Sequence, residues 1–185
     1  TGENWYDRPG TKSTWDIAPF RAPKFLHRYG YYECRCKLQK KEGWWSAFWL
    51  QAPGIGTTYD PAYSGVEVDI MEHFGNYKIA SGNFYGGYGE DLKRDARIRY
   101  NLEEGKDEFH RFGLLWTENE YVFYFDGKET ARTNGPISQV PQFVLLTTEV
   151  KGYRNGDETR HSDISEESLG DTFVVDYVRI YQISE

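Results

Sequence analysis

The chain has 185 residues, enough for one domain with an ample core, and residues 1–185 read as a single unit. A net charge of −7 argues against nucleic acid and anionic membrane surfaces as partners. No apolar run reaches the ~18 residues of a membrane-spanning helix. No signal peptide is visible, so the chain reads as mature or trimmed.

Residues 1–23 carry Pro9, Pro19 and Pro23 together with Trp5 and Trp15, and read as irregular chain lying on the body of the protein. Residues 32–38 alternate, with Tyr32, Cys34, Cys36 and Leu38 inward and Glu33, Arg35 and Lys37 outward, as a half-buried strand does. Cys34 and Cys36 would then sit on one face about 7 Å apart at Cα, beyond disulfide reach. They are expected to be small, buried and reduced, and without nearby His they make no zinc set. Residues 40–43 form a turn. Residues 44–50 (WWSAFWL) are apolar on both faces, which fits a central strand with one face in the core and the other lining a cleft.

A long loop is expected over residues 52–65, then an acidic strand described below. Residues 79–88 read as a strand ending in a glycine-rich bend, and residues 90–97 as a charged, exposed loop. Strands follow at 109–116 and 121–125, where Asp126-Gly127 signals a hairpin. Another strand covers 141–150, residues 152–171 are polar and loop-like, and a strand at 173–181 closes the chain. Single helical turns fit 138–141 and 163–169. Short strands, frequent turns and no long helix predict an all-β sandwich.

The chemistry concentrates in residues 65–73, Gly-Val-Glu-Val-Asp-Ile-Met-Glu-His. Glu67, Asp69 and Glu72 are interleaved with Val68, Ile70 and Met71, the pattern of a strand with a buried face. Regular alternation puts Glu72 on the face opposite Glu67 and Asp69. A β-bulge near Ile70-Met71, with Met71 as the extra residue, returns all three acids to one surface. Closely spaced carboxylates repel and push at least one pKa upward, a cost that stability alone does not explain. His73 then faces away from the acids. Aromatic residues make up 17% of the chain, including 15 Tyr and 6 Trp. Their flat rings with polar edges suit stacking on sugars.

The Glu67-x-Asp69-x-x-Glu72 motif, in its VEVDIMEH context, resembles the signature of glycoside hydrolase family 16, in the bulged branch of laminarinases, lichenases, agarases and carrageenases. Collinear stretches resemble other landmarks of that family: residues 29–35, residues 43–50 with Ser46 where Pro is usual, residues 109–128, and residues 175–181. The resemblance implies a concanavalin-like β-jelly roll of two antiparallel sheets with a concave cleft. It also implies a retaining endo-glycanase with Glu67 as nucleophile, Glu72 as acid/base, and Asp69 between them tuning Glu67. Substrate contacts are expected from Trp45, Trp49, Asn83, Tyr85, Tyr88 and Glu149, Asn83 standing where many relatives have His. Trp116 is expected in the core. The cations Lys93, Arg94, Arg97 and Arg99 read as a solvated loop or as partners for sulfate or uronate groups.

No cofactor is implied for catalysis. Asp176 has a counterpart that helps hold a structural calcium in many relatives. The implied substrate is a β-1,3- or β-1,3-1,4-glucan, with a β-galactan hydrolase and a non-catalytic carbohydrate-binding jelly roll as alternatives. The intact acid triad argues against pure binding. A monomer, secreted to the extracellular space or periplasm, completes the expectation.

Overall fold

Alternation makes the first described strand: Tyr32, Cys34 and Cys36 are fully buried while the residues between them are half-exposed. The computed structural model describes residues 23–55, 57–58, 60–74, 78–86, 92–102, 108–150 and 164–183. In chain order the strands are β1 (Gly30–Lys37), β2 (Trp44–Gln51), β3 (Glu67–His73), β4 (Lys78–Tyr85), β5 (Lys93–Asn101), β6 (His110–Trp116), β7 (Tyr121–Phe125), β8 (Lys128–Thr133), β9 (Phe143–Val150) and β10 (Val174–Tyr181). One helical turn, α1 (Pro61–Ser64), precedes β3, and a 3-10 turn covers Glu166–Ser168.

The strands form two antiparallel five-stranded sheets, in the orders β10-β1-β6-β7-β8 and β5-β4-β3-β2-β9. Tyr32, Phe112, Leu114, Trp116 and Phe123 from the first sheet meet Phe48, Leu50, Val68, Ile70 and Met71 from the second, each almost completely buried. Every such side chain contributes about 1.5–3 kcal/mol by leaving water. The architecture is the expected β-jelly roll sandwich. Cys34 and Cys36 are free and buried, as the spacing required. The hydrogen bond the Cys36 thiol makes to Cys34, then burial, hold its pKa far above the ordinary value.

The hairpin at Asp126-Gly127 is present, with φ of 48° and 78°. Positive φ at both central residues makes a turn whose twist matches its strands. Three segments differ from expectation. The one read as a charged loop at 90–97 supplies much of β5, an edge strand rich in Lys and Arg, as edges that resist pairing with other chains often are. The loop at 52–65 carries α1, capped where the Asp60 carboxylate accepts from the Ala62 N–H at 2.9 Å. No helical turn forms at 138–141.

Candidate active site

Delivery of the acidic strand depends on Gly65, which ends α1 at φ 92° and lies so close to Ala52 that a Cβ there would collide with it. From Glu67 onward the register with the neighbouring strands fixes which way each side chain points. Across β2, Leu50 pairs with Val68, Trp49 with Asp69, Phe48 with Met71 and Ala47 with Glu72. Ile70 has no partner in that ladder. On the other side, Asp69 pairs with Gly82 and Glu72 with Ala80, so Ile70 and Met71 together oppose Ser81. The Ser81 hydroxyl donates to the Ile70 carbonyl at 2.8 Å and secures the bulge.

The bulge sits where the sequence placed it, with one correction: Ile70, not Met71, is the residue unmatched by β2. Both are buried, at 2% and 0% exposure. Directly opposed residues share a face, so Glu67, Asp69 and Glu72 all lie on the side away from the core. His73 pairs with Ser46 and points into the core.

Cross-strand rows extend this face into a groove floor. The Glu72 row reads Thr147, Ala47, Glu72, Ala80, Arg99, and the Asp69 row reads Leu145, Trp49, Asp69, Gly82. Glu67 is flanked by Phe84 and then Arg94, while Trp45 lies beside Glu149. The Trp45 indole N–H donates to Glu72 Oε1 at 3.2 Å, and its ring rests against Phe74 with centroids 5.1 Å apart. Trp49 donates to Thr147 Oγ1 at 3.1 Å. Both tryptophans are half-buried, each with a polar edge tied down and part of its surface in solvent. Trp116, by contrast, is wholly buried, as expected.

Two of the expected substrate contacts face the wrong way. Asn83 pairs with the core residue Val68 and is 0% exposed, with both amide atoms lacking a hydrogen-bond partner among the described residues. Tyr85 has the same parity and packs against the hydrophobic core. The groove residue of β4 is Phe84 between them. Tyr88 lies outside the described residues. Phe84, Ala80, Arg94 and Arg99 were not singled out as groove residues; once β4 is in register with Glu67, parity identifies them.

Asp176 does not fit a cation site. Its carboxylate accepts from Arg35 Nη1 at 2.6 Å, and the Arg35 guanidinium also lies 4.5 Å from the Phe109 ring centroid. The ladder jumps from Arg35↔Tyr177 to Cys36↔Val175, so Asp176 is a bulged residue turned to meet Arg35. A guanidinium neutralises the charge a calcium ion would seek. Among the described residues no cluster of three His, Cys, Asp or Glu could hold a metal. Asp176→Ala should therefore leave the response of the melting temperature to calcium or EDTA as it is in the parent chain. A calcium-induced rise that vanishes in Asp176→Ala would contradict this reading.

Beneath the groove, both His73 ring nitrogens are buried without a hydrogen-bond partner among the described residues. Burial lowers the His73 pKa from 6.5 to about 4, with Asp171 opposing weakly. The fold thus favours neutral imidazole. Its contribution is complete above about pH 6.5 and is lost as pH falls toward 4, up to about 3 kcal/mol. His73→Gln should show a smaller fall in melting temperature between pH 7 and pH 4.5 than the parent chain. An identical fall would mean that His73 does not set the acid sensitivity.

Two carboxyl groups on one strand face, bracketing a third and flanked by tryptophan, have the chemistry that paired-carboxylate cleavage of a glycoside needs. Comparison with known proteins agrees. The model described as Glycosyl hydrolases family 16 matches residues 13–168. The endo-1,3-1,4-beta-glycanase EglC of Rhizobium meliloti is 32% identical over 164 residues, covering 86% of this chain and 31% of that protein. A more distant relative, the beta-porphyranase B of Phocaeicola plebeius, is 26% identical, covering 95% of this chain and 65% of its own length. The laminarinase catalytic domain from Thermotoga maritima superposes with a TM-score of 0.68 at 27% identity, over 88% of this chain and 67% of that one. The chain thus spans about a third of the curated relative it matches at 32% identity. The family model covers most of this chain, and the two-sheet sandwich matches that of the superposed laminarinase domain: the chain belongs to glycosyl hydrolases family 16.

Proposed function

We propose that the chain is the catalytic part of a retaining endo-β-glycanase cutting internal bonds of a β-1,3- or β-1,3-1,4-glucan. The observation that carries this is the bulge at Ile70-Met71, which brings Glu67, Asp69 and Glu72 to one face. Glu67 and Glu72 are about 13 Å apart at Cα by strand rise. Two side chains leaning together across Asp69 approach the ~5–5.5 Å carboxyl separation of retaining enzymes.

In the first step Glu67 attacks the anomeric carbon while Glu72 gives its proton to the departing glycosidic oxygen. In the second, Glu72 takes a proton from water, which displaces Glu67 from the sugar. The Trp45 N–H donates to Oε1 of Glu72 and so orients the acid/base carboxyl. The part-exposed rings of Trp45 and Trp49 offer stacking surfaces along the same rows. Glu149, beside Trp45, lies within reach of a sugar bound there. Names of relatives support the glucan reading, EglC as an endo-1,3-1,4-beta-glycanase and the Thermotoga maritima domain as a laminarinase. A polymer of this size does not cross a membrane, so the enzyme acts outside the cytoplasm.

The test is product analysis on laminarin, lichenan, agarose, carrageenan and β-1,3-galactan. Oligosaccharides released internally from laminarin or lichenan are expected. Cleavage of a galactan alone would replace the glucan assignment, and no cleavage of any polymer would favour a binding module.

A further inference from the structure

Under the groove floor, β4 is caught between two irregular strands. On one side Asp69 pairs with Gly82 and Glu72 with Ala80, so Ser81 faces both Ile70 and Met71. On the other side Ser81 pairs with Ile98 and Asn83 with Asp95, so Gly82 faces residues 96 and 97 together. Two bulges therefore flank one dipeptide, Ser81-Gly82.

A bulge interrupts the ladder, and a buried carbonyl left there needs another donor. Here that donor is a side chain. The Ser81 hydroxyl, 2% exposed, gives its single proton to the Ile70 carbonyl at 2.8 Å. Tyr100, on β5, is hydrogen-bonded to the same hydroxyl. With the serine proton engaged, the phenol donates and the Ser81 oxygen accepts. Tyr100 pairs with the core residue Ile79, and its ring lies 5.2 Å from that of Phe125 in the opposite sheet. A hydrogen-bonded chain thus runs from Tyr100 through Ser81 to the Ile70 carbonyl and joins β5, β4 and β3 on the core side.

The anchored carbonyl lies two residues before Glu72, whose carboxyl must meet the Trp45 N–H on the groove side. Filling the core at position 81 asks only for a small side chain. It gives no reason for a hydroxyl, nor for the contact with Tyr100. We propose that Ser81, backed by Tyr100, is a positioning residue for the acid/base: it fixes the phase of the bulge, and through it the reach of Glu72 toward the glycosidic oxygen. This role rests on the glycanase reading for its chemistry, but one of its two readouts does not need cleavage.

The parent chain is compared with Ser81→Ala, Ser81→Thr and Tyr100→Phe on two substrates. One is laminarin, whose departing sugar needs the proton of Glu72. The other is a dinitrophenyl β-glycoside of a laminarin oligosaccharide, whose phenolate departs without a proton. In both cases kcat/KM reports the first displacement. Ser81→Ala should lose roughly ten- to a hundredfold on laminarin, the cost of about 1 Å of misplacement, and less than about threefold on the aryl glycoside. Ser81→Thr keeps the hydroxyl and should recover most of the loss. Tyr100→Phe should fall in the same sense by a smaller factor. Equal losses on both substrates, or no loss on laminarin, would overturn the proposal.

The second readout is the NMR signal of the Trp45 indole N–H, assigned by its absence in Trp45→Phe. In the parent this signal should move as Glu72 titrates. The movement should disappear in Ser81→Ala and persist in Ser81→Thr. An unaltered titration in folded Ser81→Ala would overturn the proposal. If Ser81→Ala does not fold, Tyr100→Phe carries both readouts under the same criteria. A parent chain that cleaves neither substrate removes the glycanase reading, and the indole titration then decides whether Ser81 places Glu72.

Discussion

Glu67→Gln and Glu72→Gln should each lower kcat by at least about a thousandfold while leaving the melting temperature near that of the parent. Both residues lie on the groove face and neither is part of the hydrophobic core, so an isosteric amide costs little in packing. Glutamine at 72 can still accept from the Trp45 N–H, which keeps the local geometry. What it cannot do is deliver a proton. Glutamine at 67 cannot form the covalent intermediate. In Glu67→Ala, azide should enter the vacated space and yield a glycosyl azide of inverted configuration, because the anion then attacks where the carboxylate did. Cleavage by Glu67→Gln at the parent rate would show that the nucleophile lies elsewhere.

Deleting single residues from β3 should separate two positions only two residues apart. Without Ile70 the strand reads Glu-Val-Asp-Met-Glu, in which simple alternation keeps all three acids on the groove face and leaves Met71 opposite Phe48. The protein should fold, at a loss of about 2–5 kcal/mol for the buried side chain. Activity should fall sharply, because Glu72 moves relative to Glu67 and the Trp45 N–H. Deletion of Val68 has no bulge to absorb it. Either Glu67 turns into the space beside Leu50, or every later residue changes face. A buried unpaired carboxylate costs several kcal/mol, a large part of a domain's stability. Insoluble material from the Val68 deletion and soluble material from the Ile70 deletion is the expected pair. Equal loss of folding in both would contradict the bulge as a separable element.

The strands whose sequence alternates were legible without a structure. Tyr32, Cys34 and Cys36 announce β1, and the doubly apolar run at 44–50 announces a central strand beside a cleft. The acid face was legible too, because Val68, Ile70 and Met71 require a core side and three carboxylates on one surface then require an extra residue. Phase on β4 was not legible. Asn83 and Tyr85 share a parity that only pairing with Val68 reveals as the core side, and neither residue type declares this. The strand placement of Arg94 and Arg99 was hidden for a related reason: a strand at the sheet edge with cations on its open face has the composition of a solvated loop. Asp176 was assigned by resemblance, and the partner that occupies it, Arg35, is 141 residues away in sequence. Long-range pairing of that kind leaves no local trace.

Glu67 and Glu72 acting from one face, as a nucleophile and an acid, is the central claim. Proton NMR of the first sugar released from a β-linked oligosaccharide tests it most directly. The new reducing end should appear as the β anomer, with α growing in later by mutarotation, since two displacements restore the starting configuration. Appearance of the α anomer first would mean a single displacement by water, a wider pair of carboxyl groups, and a different role for Glu67.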